Sequence, residues 1–240
     1  MRKLQKLIKS YPDTKILDVG TGNGNFIRVL TGLDDNFESI IGIDVLDTAI
    51  TACNANFNDE RIKFMKMDIL DSGFEDNRFD IVSLSNSLHH LQNIGATISE
   101  MERILAPGGI LLICEMMNNN LSKPQKSHLH MHHFAAEIDR EGGSVHHETF
   151  TDKEILNHLT VSSKLDIKDV WEFVTPKTEK MSEKESEWLF ETIDRVQSRI
   201  EGSEKTEYFR KKADKIKKYI RKYGFDSATQ IIVILGKWSY

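Results

Sequence analysis

The run Ile16-Leu17-Asp18-Val19-Gly20-Thr21-Gly22-Asn23-Gly24-Asn25-Phe26 constrains the fold more than any other part of the chain. An apolar stretch is followed by glycines at alternate positions, and a helical pattern then begins. This order predicts a strand, a tight turn and a helix. Glycine suits the turn because the backbone must reverse sharply, with φ > 0 open to it, and must let a ligand come close. The first turn of the helix then offers unpaired N–H groups to that ligand. A second apolar run, Ser39 to Ile43, ends in Asp44. A carboxylate at that position can accept both hydroxyls of a ribose. A third run, Ile62 to Ile69, carries Asp68, which can accept from an exocyclic amine while Ile69 lies against the ring. Three strands ending in such groups would line one crevice at the carboxyl edge of a parallel sheet.

The glycine spacing is G-x-G-x-G, and an acid, Asp18, precedes the first glycine by two. A carboxylate there would repel a pyrophosphate. It suits a ligand carrying an amino group and a sulfonium charge. With these residues the chain resembles the class I S-adenosylmethionine-dependent methyltransferases, whose first motif is an acid followed by alternating glycines. Phe79 to Leu91 resembles the family's fourth strand and the loop after it. Ile104 to Ile113, with Pro107-Gly108-Gly109, resembles its helix, turn and fifth strand. The likeness runs in order from about Lys15 to Glu115. It implies an α/β, Rossmann-like fold with a seven-stranded sheet of order 3-2-1-4-5-7-6. It also implies S-adenosylmethionine as cofactor. Asp18, Gly20, Gly22 and Gly24 would hold its methionine part, Asp44 the ribose with Val45 and Leu46 beside the adenine, and Asp68 and Ile69 the base. Ser85 and Asn86 would face the methyl donor.

The chain has 240 residues, 39% hydrophobic and 29% charged, an ordinary globular composition large enough for one good core. A net charge of −5 gives no global attraction to nucleic acid or to an acidic membrane. Two cysteines, Cys53 and Cys114, suggest no disulfide framework. No apolar stretch approaches a membrane span, the short basic N-terminus is too polar for a signal peptide, and the expected location is the cytoplasm.

Residues 1–240 are expected to form a single methyltransferase domain with two helical lid inserts. One covers 116–150 and is rich in histidine. The other covers 175–226, between strands expected at Leu165–Val174 and Gln230–Trp238. Ser182 to Glu185 is a capping-box pattern, and Leu189, Phe190, Ile193, Val196 and Ile200 then recur at helical spacing. Phe209, Ala213, Ile216 and Ile220 resume the pattern, giving a helical hairpin through which two copies could pair as a homodimer. Six histidines lie between residues 128 and 147. Three readings of them stay open: an ordinary polar face, a substrate pocket with a general base, and a bound metal. His128 and His132, one helical turn apart, could ligate such a metal, but no tight zinc signature is present and no metal is favoured. His132 and, after the fourth strand, His90 are the candidate catalytic bases, since imidazole titrates near neutrality.

The function expected is methyl transfer to a small-molecule acceptor through an O, N, S or C nucleophile. One alternative is an RNA or other nucleic-acid methyltransferase, favoured by the basic run Arg210 to Lys222 with Tyr219 and Tyr223. Against it, Ser85-Asn86-Ser87-Leu88 is not the Pro-Pro-aromatic motif of amino-methylating DNA enzymes. A second alternative is a subunit that binds the cofactor without turnover.

Overall fold

The computed structural model describes residues 1–175 and 182–237. Residues 176–181 of the expected second insert, and Trp238 of the expected last strand, lie outside the described residues. The described chain groups into two compact units. The first comprises Met1–Glu115, Lys153–Trp171 and Ile231–Tyr240. The second comprises Met116–Asp152 and Glu172–Gln230.

β1 (Thr14–Val19) is the centre of the sheet. It pairs in parallel with β2 (Phe37–Asp44), Leu17 opposite Ile41, and with β4 (Phe79–Ser85), Leu17 opposite Val82. A strand flanked on both sides and covered on both faces must be apolar along its length, which is why Ile16, Leu17 and Val19 show no alternation. β3 (Ile62–Lys66), β5 (Leu105–Met116), β6 (Asp166–Phe173) and β7 (Gln230–Gly236) complete the order β3-β2-β1-β4-β5-β7-β6 expected from the resemblance. α1 (Arg2–Ile8), α2 (Asn25–Leu33), α3 (Asp47–Asn56), α4 (Ile94–Ile104) and, later in the chain, α6 (Asp152–Ser162) accompany the strands.

One local expectation is revised. Pro107-Gly108-Gly109 is not a turn ahead of β5 but lies within it. Phe79 pairs with Leu105 and Ile81 with Ile110, so four residues of β5 bulge out where β4 has one. Lys237 holds the bulge: its carbonyl accepts from Gly108 N at 3.1 Å, and its N–H donates to Gly109 O at 3.0 Å. Gly108 takes φ +79, and a Cβ on Gly109 would come within 2.7 Å of the Asp80 carbonyl. The glycines are there for the bulge.

The second unit is built on α5 (Lys123–Glu141), α7 (Glu183–Gln197) and α8 (Thr206–Tyr223). Phe134 and Ile138 of α5, Leu189 and Ile193 of α7, and Phe209, Ala213, Ile216 and Ile220 of α8 share one core. The two-helix hairpin read from sequence is therefore three helices, with the histidine-bearing α5 as the third.

Candidate functional site

All three glycines of the turn adopt left-handed φ: +65 at Gly20, +52 at Gly22 and +73 at Gly24. Two of them also need the space. A Cβ on Gly20 would lie 2.7 Å from Ser87 Oγ, and one on Gly24 would lie 2.6 Å from the Phe57 ring. A Cβ on Gly22 would meet nothing within 4 Å, so this side of the turn is open to a ligand.

Asp44 closes this turn from β2. Its Oδ2 accepts from Gly22 N and its Oδ1 from Leu46 N, each at 2.9 Å. Only one lone pair of each oxygen is used in this way, which leaves acceptor capacity for hydroxyls. Val45 and Leu46 follow with 57% and 59% of their surface exposed, apolar side chains placed where a flat base could cover them. Asp68 is exposed and caps the short 3-10 turn Ile69–Asp71, accepting from Leu70 N at 2.9 Å; Ile69 is buried.

Asp18 is buried at 1% exposure. Ser83 Oγ donates to its Oδ1 at 2.7 Å. Its Oδ2 and the nearby Thr21 Oγ1 are buried with no hydrogen-bond partner. Burial pushes the Asp18 carboxyl up to about 6. The Ser83 hydroxyl opposes this, as does the Thr21 hydroxyl, whose geometry falls short of a hydrogen bond, and the Asp44 charge adds to it. A buried, half-satisfied carboxylate is costly unless a donor or cation meets it. An α-ammonium group is such a donor, and the residues of this turn therefore fit the methionine part of S-adenosylmethionine.

The end of β4 continues the site. Asn86, a non-glycine residue, is held at φ +48, with its N–H donated to Cys114 O at 2.8 Å. Ser87 Oγ lies 3.0 Å from both Gly20 O and Ser85 O, tying this loop to the glycine turn. Next, His89 Nδ1 lies 2.7 Å from Glu115 Oε1, and Leu88 N donates to Glu115 Oε2 at 2.9 Å. Both His89 and Glu115 are buried, whereas His90 is exposed with its ring 4.3 Å from that of His89. Burial and the neighbouring Glu115 charge push the Cys114 thiol up to about 12, so it is an inert core thiol.

Ser83, Ser87 and Glu115 were not singled out from the sequence. Glu115 did leave a signal: it stands between the apolar runs Leu111–Cys114 and Met116-Met117. A charge in that setting requires a partner.

In the second unit, α5 presents four more histidines. His128 Nδ1 accepts from Ala228 N at 3.0 Å, and burial lowers its pKa. His133 Nε2 accepts from Thr149 N at 3.3 Å and lies 3.0 Å from Thr149 Oγ1. His132 Nε2 faces His146 Nε2 across 3.4 Å, rather than pairing with His128.

Residues 17–113 match the family model described as "Methyltransferase domain". A hybrid PKS-NRPS synthetase of Macrophomina phaseolina is 33% identical over 117 residues, 46% of this chain. The chain spans about 3% of the length of that protein and of the similar synthetases of Pyricularia grisea and an Acremonium species. The demethylmenaquinone methyltransferase of Bacteroides fragilis is 29% identical over 119 residues, 48% of each chain. Among solved structures, a candidate methyltransferase of Bacillus halodurans C-125 superposes with a TM-score of 0.66 at 18% identity, covering 99% of this chain and 98% of that one. An S-adenosylmethionine-dependent methyltransferase of Mesorhizobium loti gives 0.57 at 15% identity, with 98% and 96% covered. These two structures establish the shared fold. Residues 17–113 thus match a methyltransferase domain, carried on a sheet with the order expected of the class I S-adenosylmethionine-dependent methyltransferases.

Proposed function

We propose that this chain moves a methyl group from S-adenosylmethionine to a small-molecule acceptor that attacks through O, N, S or C. The observation that carries the cofactor assignment is the unpartnered, buried Oδ2 of Asp18 beneath the left-handed glycine turn. When bound, the cofactor supplies a methyl group on a cationic sulfur, open to displacement by a nucleophile. In this reading Asp18 receives the ammonium group, and Gly20, Gly22 and Gly24 admit the methionine chain. Asp44 accepts from the ribose, Val45 and Leu46 cover the adenine, and Asp68 and Ile69 fix its edge. Ser85 and Asn86 face the donor sulfur, with Ser87 and the His89–Glu115 pair bracing their loop. His90 and His132 are the candidates to take a proton from the acceptor.

Two observations support a small acceptor over a nucleic acid. Three basic residues of α8 are engaged by acidic neighbours. Arg210 pairs with Glu201 and Glu207, Lys212 with Glu137, and Lys217 with Asp194. Charge engaged in this way is not free to release counterions from phosphates. The relatives also point to small acceptors. One is a demethylmenaquinone methyltransferase, and a Haemonchus contortus N-methyltransferase of the same fold holds phosphomonomethylethanolamine with S-adenosylhomocysteine (TM-score 0.57, 17% identity, 99% of this chain and 53% of that one). We further assign acceptor choice to the segments 116–150 and 175–226, which lie outside the matched span, within a single 1–240 methyltransferase domain. A homodimer through the helical segments belongs to the same reading; Trp188 and Tyr208 expose 60% and 54% of their surface. Among the described residues no helix is long and apolar enough to cross a membrane, which accords with the cytoplasmic location expected.

Calorimetry with S-adenosylhomocysteine is the primary test, and absence of binding defeats the reading. Turnover of the methyl donor with a metabolite extract, compared with RNA and DNA, then identifies the acceptor class. Binding without turnover on any of them would favour a non-catalytic subunit.

A further inference from the structure

His132 sits on α5 and His146 in the segment after that helix. Their Nε2 atoms face each other at 3.4 Å, with ring centroids 5.1 Å apart and planes crossed at 67°. A nitrogen–nitrogen separation of 3.4 Å is long for a hydrogen bond, which prefers about 2.9–3.0 Å. It is the separation of two ligands on one ion. Nitrogens at about 2.0–2.1 Å from a tetrahedral zinc stand about 3.3–3.4 Å apart.

The surroundings of His146 support the same assignment. Its Nδ1 lies 2.9 Å from Asp139 Oδ2, which fixes the neutral imidazole's proton on Nδ1 and leaves the Nε2 lone pair aimed at His132. A carboxylate behind a ring nitrogen is the usual way a ligating histidine is oriented and made more basic. Arg199 Nη1 donates to the other oxygen, Asp139 Oδ1, at 3.1 Å, and Arg140 Nη1 donates to the His146 carbonyl at 2.6 Å. His146 itself is 5% exposed. Three polar groups thus hold one buried imidazole with its lone pair facing a second imidazole.

We propose that His132 and His146 bind a divalent transition metal ion, zinc in class, through their Nε2 atoms, with Asp139 as the positioning carboxylate. Two nitrogen donors leave the remaining coordination positions for other groups, an acceptor oxygen or sulfur among them. This assignment moves His132 from proton acceptor to ligand and leaves His90 as the candidate base.

The test is a titration of the full-length protein, dialysed against chelator, with zinc and with cobalt(II), whose visible spectrum reports nitrogen ligation directly. Wild type is expected to bind one equivalent. His132→Ala and His146→Ala should each lose that binding, and Asp139→Asn should weaken it about tenfold or more. His128→Ala, whose imidazole serves Ala228, should leave it unchanged. His132→Gln, at a half-buried position, guards against a folding defect, and circular dichroism checks each variant. Absence of metal binding by folded wild type overturns the proposal, leaving the pair as a strained hydrogen bond, as does undiminished affinity in folded His132→Gln. No methyl donor enters the measurement, so its outcome is independent of the methyl-transfer reading.

Discussion

The glycine turn of the first unit and the helices of the second handle polar groups in opposite ways. In the first, the glycine turn leaves a buried carboxylate oxygen and a buried hydroxyl unsatisfied, at Asp18 and Thr21. In the second, charges are matched within the unit: Asp139 with His146 and Arg199, Glu137 with Lys212 and Tyr208, and Glu141 with Lys205. A region with buried polar atoms left over is incomplete without a ligand. A region whose charges are paired, over a core of Phe134, Leu189, Ile193 and Phe209, is stabilised by its own contacts. Ligand affinity should therefore respond to changes in the first region and stability to changes in the second.

The harshest trial of that division is Phe209→Ala. Phe209 is fully buried, 6.0 Å between ring centroids from Phe134. Truncating a buried phenylalanine costs about 3–5 kcal/mol. Scanning calorimetry should show a transition displaced to lower temperature, while S-adenosylhomocysteine affinity, measured well below it, stays at the wild-type value. A matching fall in affinity would break the division.

Asp18 gives the next largest effect, through pH. Its carboxyl is raised to about 6 from an ordinary value of 3.8. The native state therefore holds this proton more tightly than the unfolded chain does. The stabilisation is complete below the unfolded value and is lost as pH rises through about 6. Two pH units correspond to about 3 kcal/mol for the ligand-free protein. Asp18→Asn removes the titration, so the wild-type minus variant difference in urea-derived stability should fall across pH 4 to 7 and level off above. A pH-independent difference would refute the account. The same substitution should weaken S-adenosylhomocysteine binding, because the anion proposed to meet the ammonium group is gone.

The contrast also explains what the sequence disclosed. The cofactor crevice is made by backbone conformation and by acids at strand ends, and both write themselves locally: a left-handed φ as glycine, a strand terminus as Asp44. The sheet order was expected from the family resemblance that this pattern carries. The bulge in β5 was less legible, because Pro107-Gly108-Gly109 reads equally as a free turn until Lys237, 130 residues away in the chain, is seen holding it. The His89–Glu115 bond joins residues 26 apart on neighbouring strand ends, a relation visible only once β4 and β5 pair. In the second unit the histidines of α5 concealed its apolar stripe. Phe134 and Ile138, one turn apart, are what dock it on α7 and α8, and Ser122 with Gln125 forms the capping box that starts it. His146 reaches His132 from a loop with no periodicity to place it.

Asp44→Ala tests the ligand-facing side at a smaller magnitude. Removing the carboxylate orphans Gly22 N and Leu46 N and takes away the proposed ribose acceptor. S-adenosylhomocysteine affinity should fall at least tenfold, about 1.4 kcal/mol. Calorimetry checks this, and an unchanged affinity would dismiss Asp44 as the ribose acid.

Ser182→Ala makes the same chemical change on the other side of the comparison, with the smallest effect. Ser182 Oγ accepts from Glu185 N at 3.2 Å, and Glu185 Oε2 accepts from Ser182 N at 2.6 Å, a reciprocal cap on the first turn of α7. Like Asp44, Ser182 is an oxygen acceptor for a backbone N–H. Unlike Asp44, it caps an exposed helix end where water can replace it, so its loss should cost about 1 kcal/mol. That cost falls on α7, whose Leu189 and Ile193 lie about two and three turns beyond the cap in the shared core. The melting transition should drop slightly, with cofactor affinity unchanged. Two acceptors of backbone N–H groups would then differ in what they control: Asp44 affinity, Ser182 only stability. A Ser182→Ala protein that binds S-adenosylhomocysteine more weakly would mean that the helical unit's order is itself part of the cofactor site.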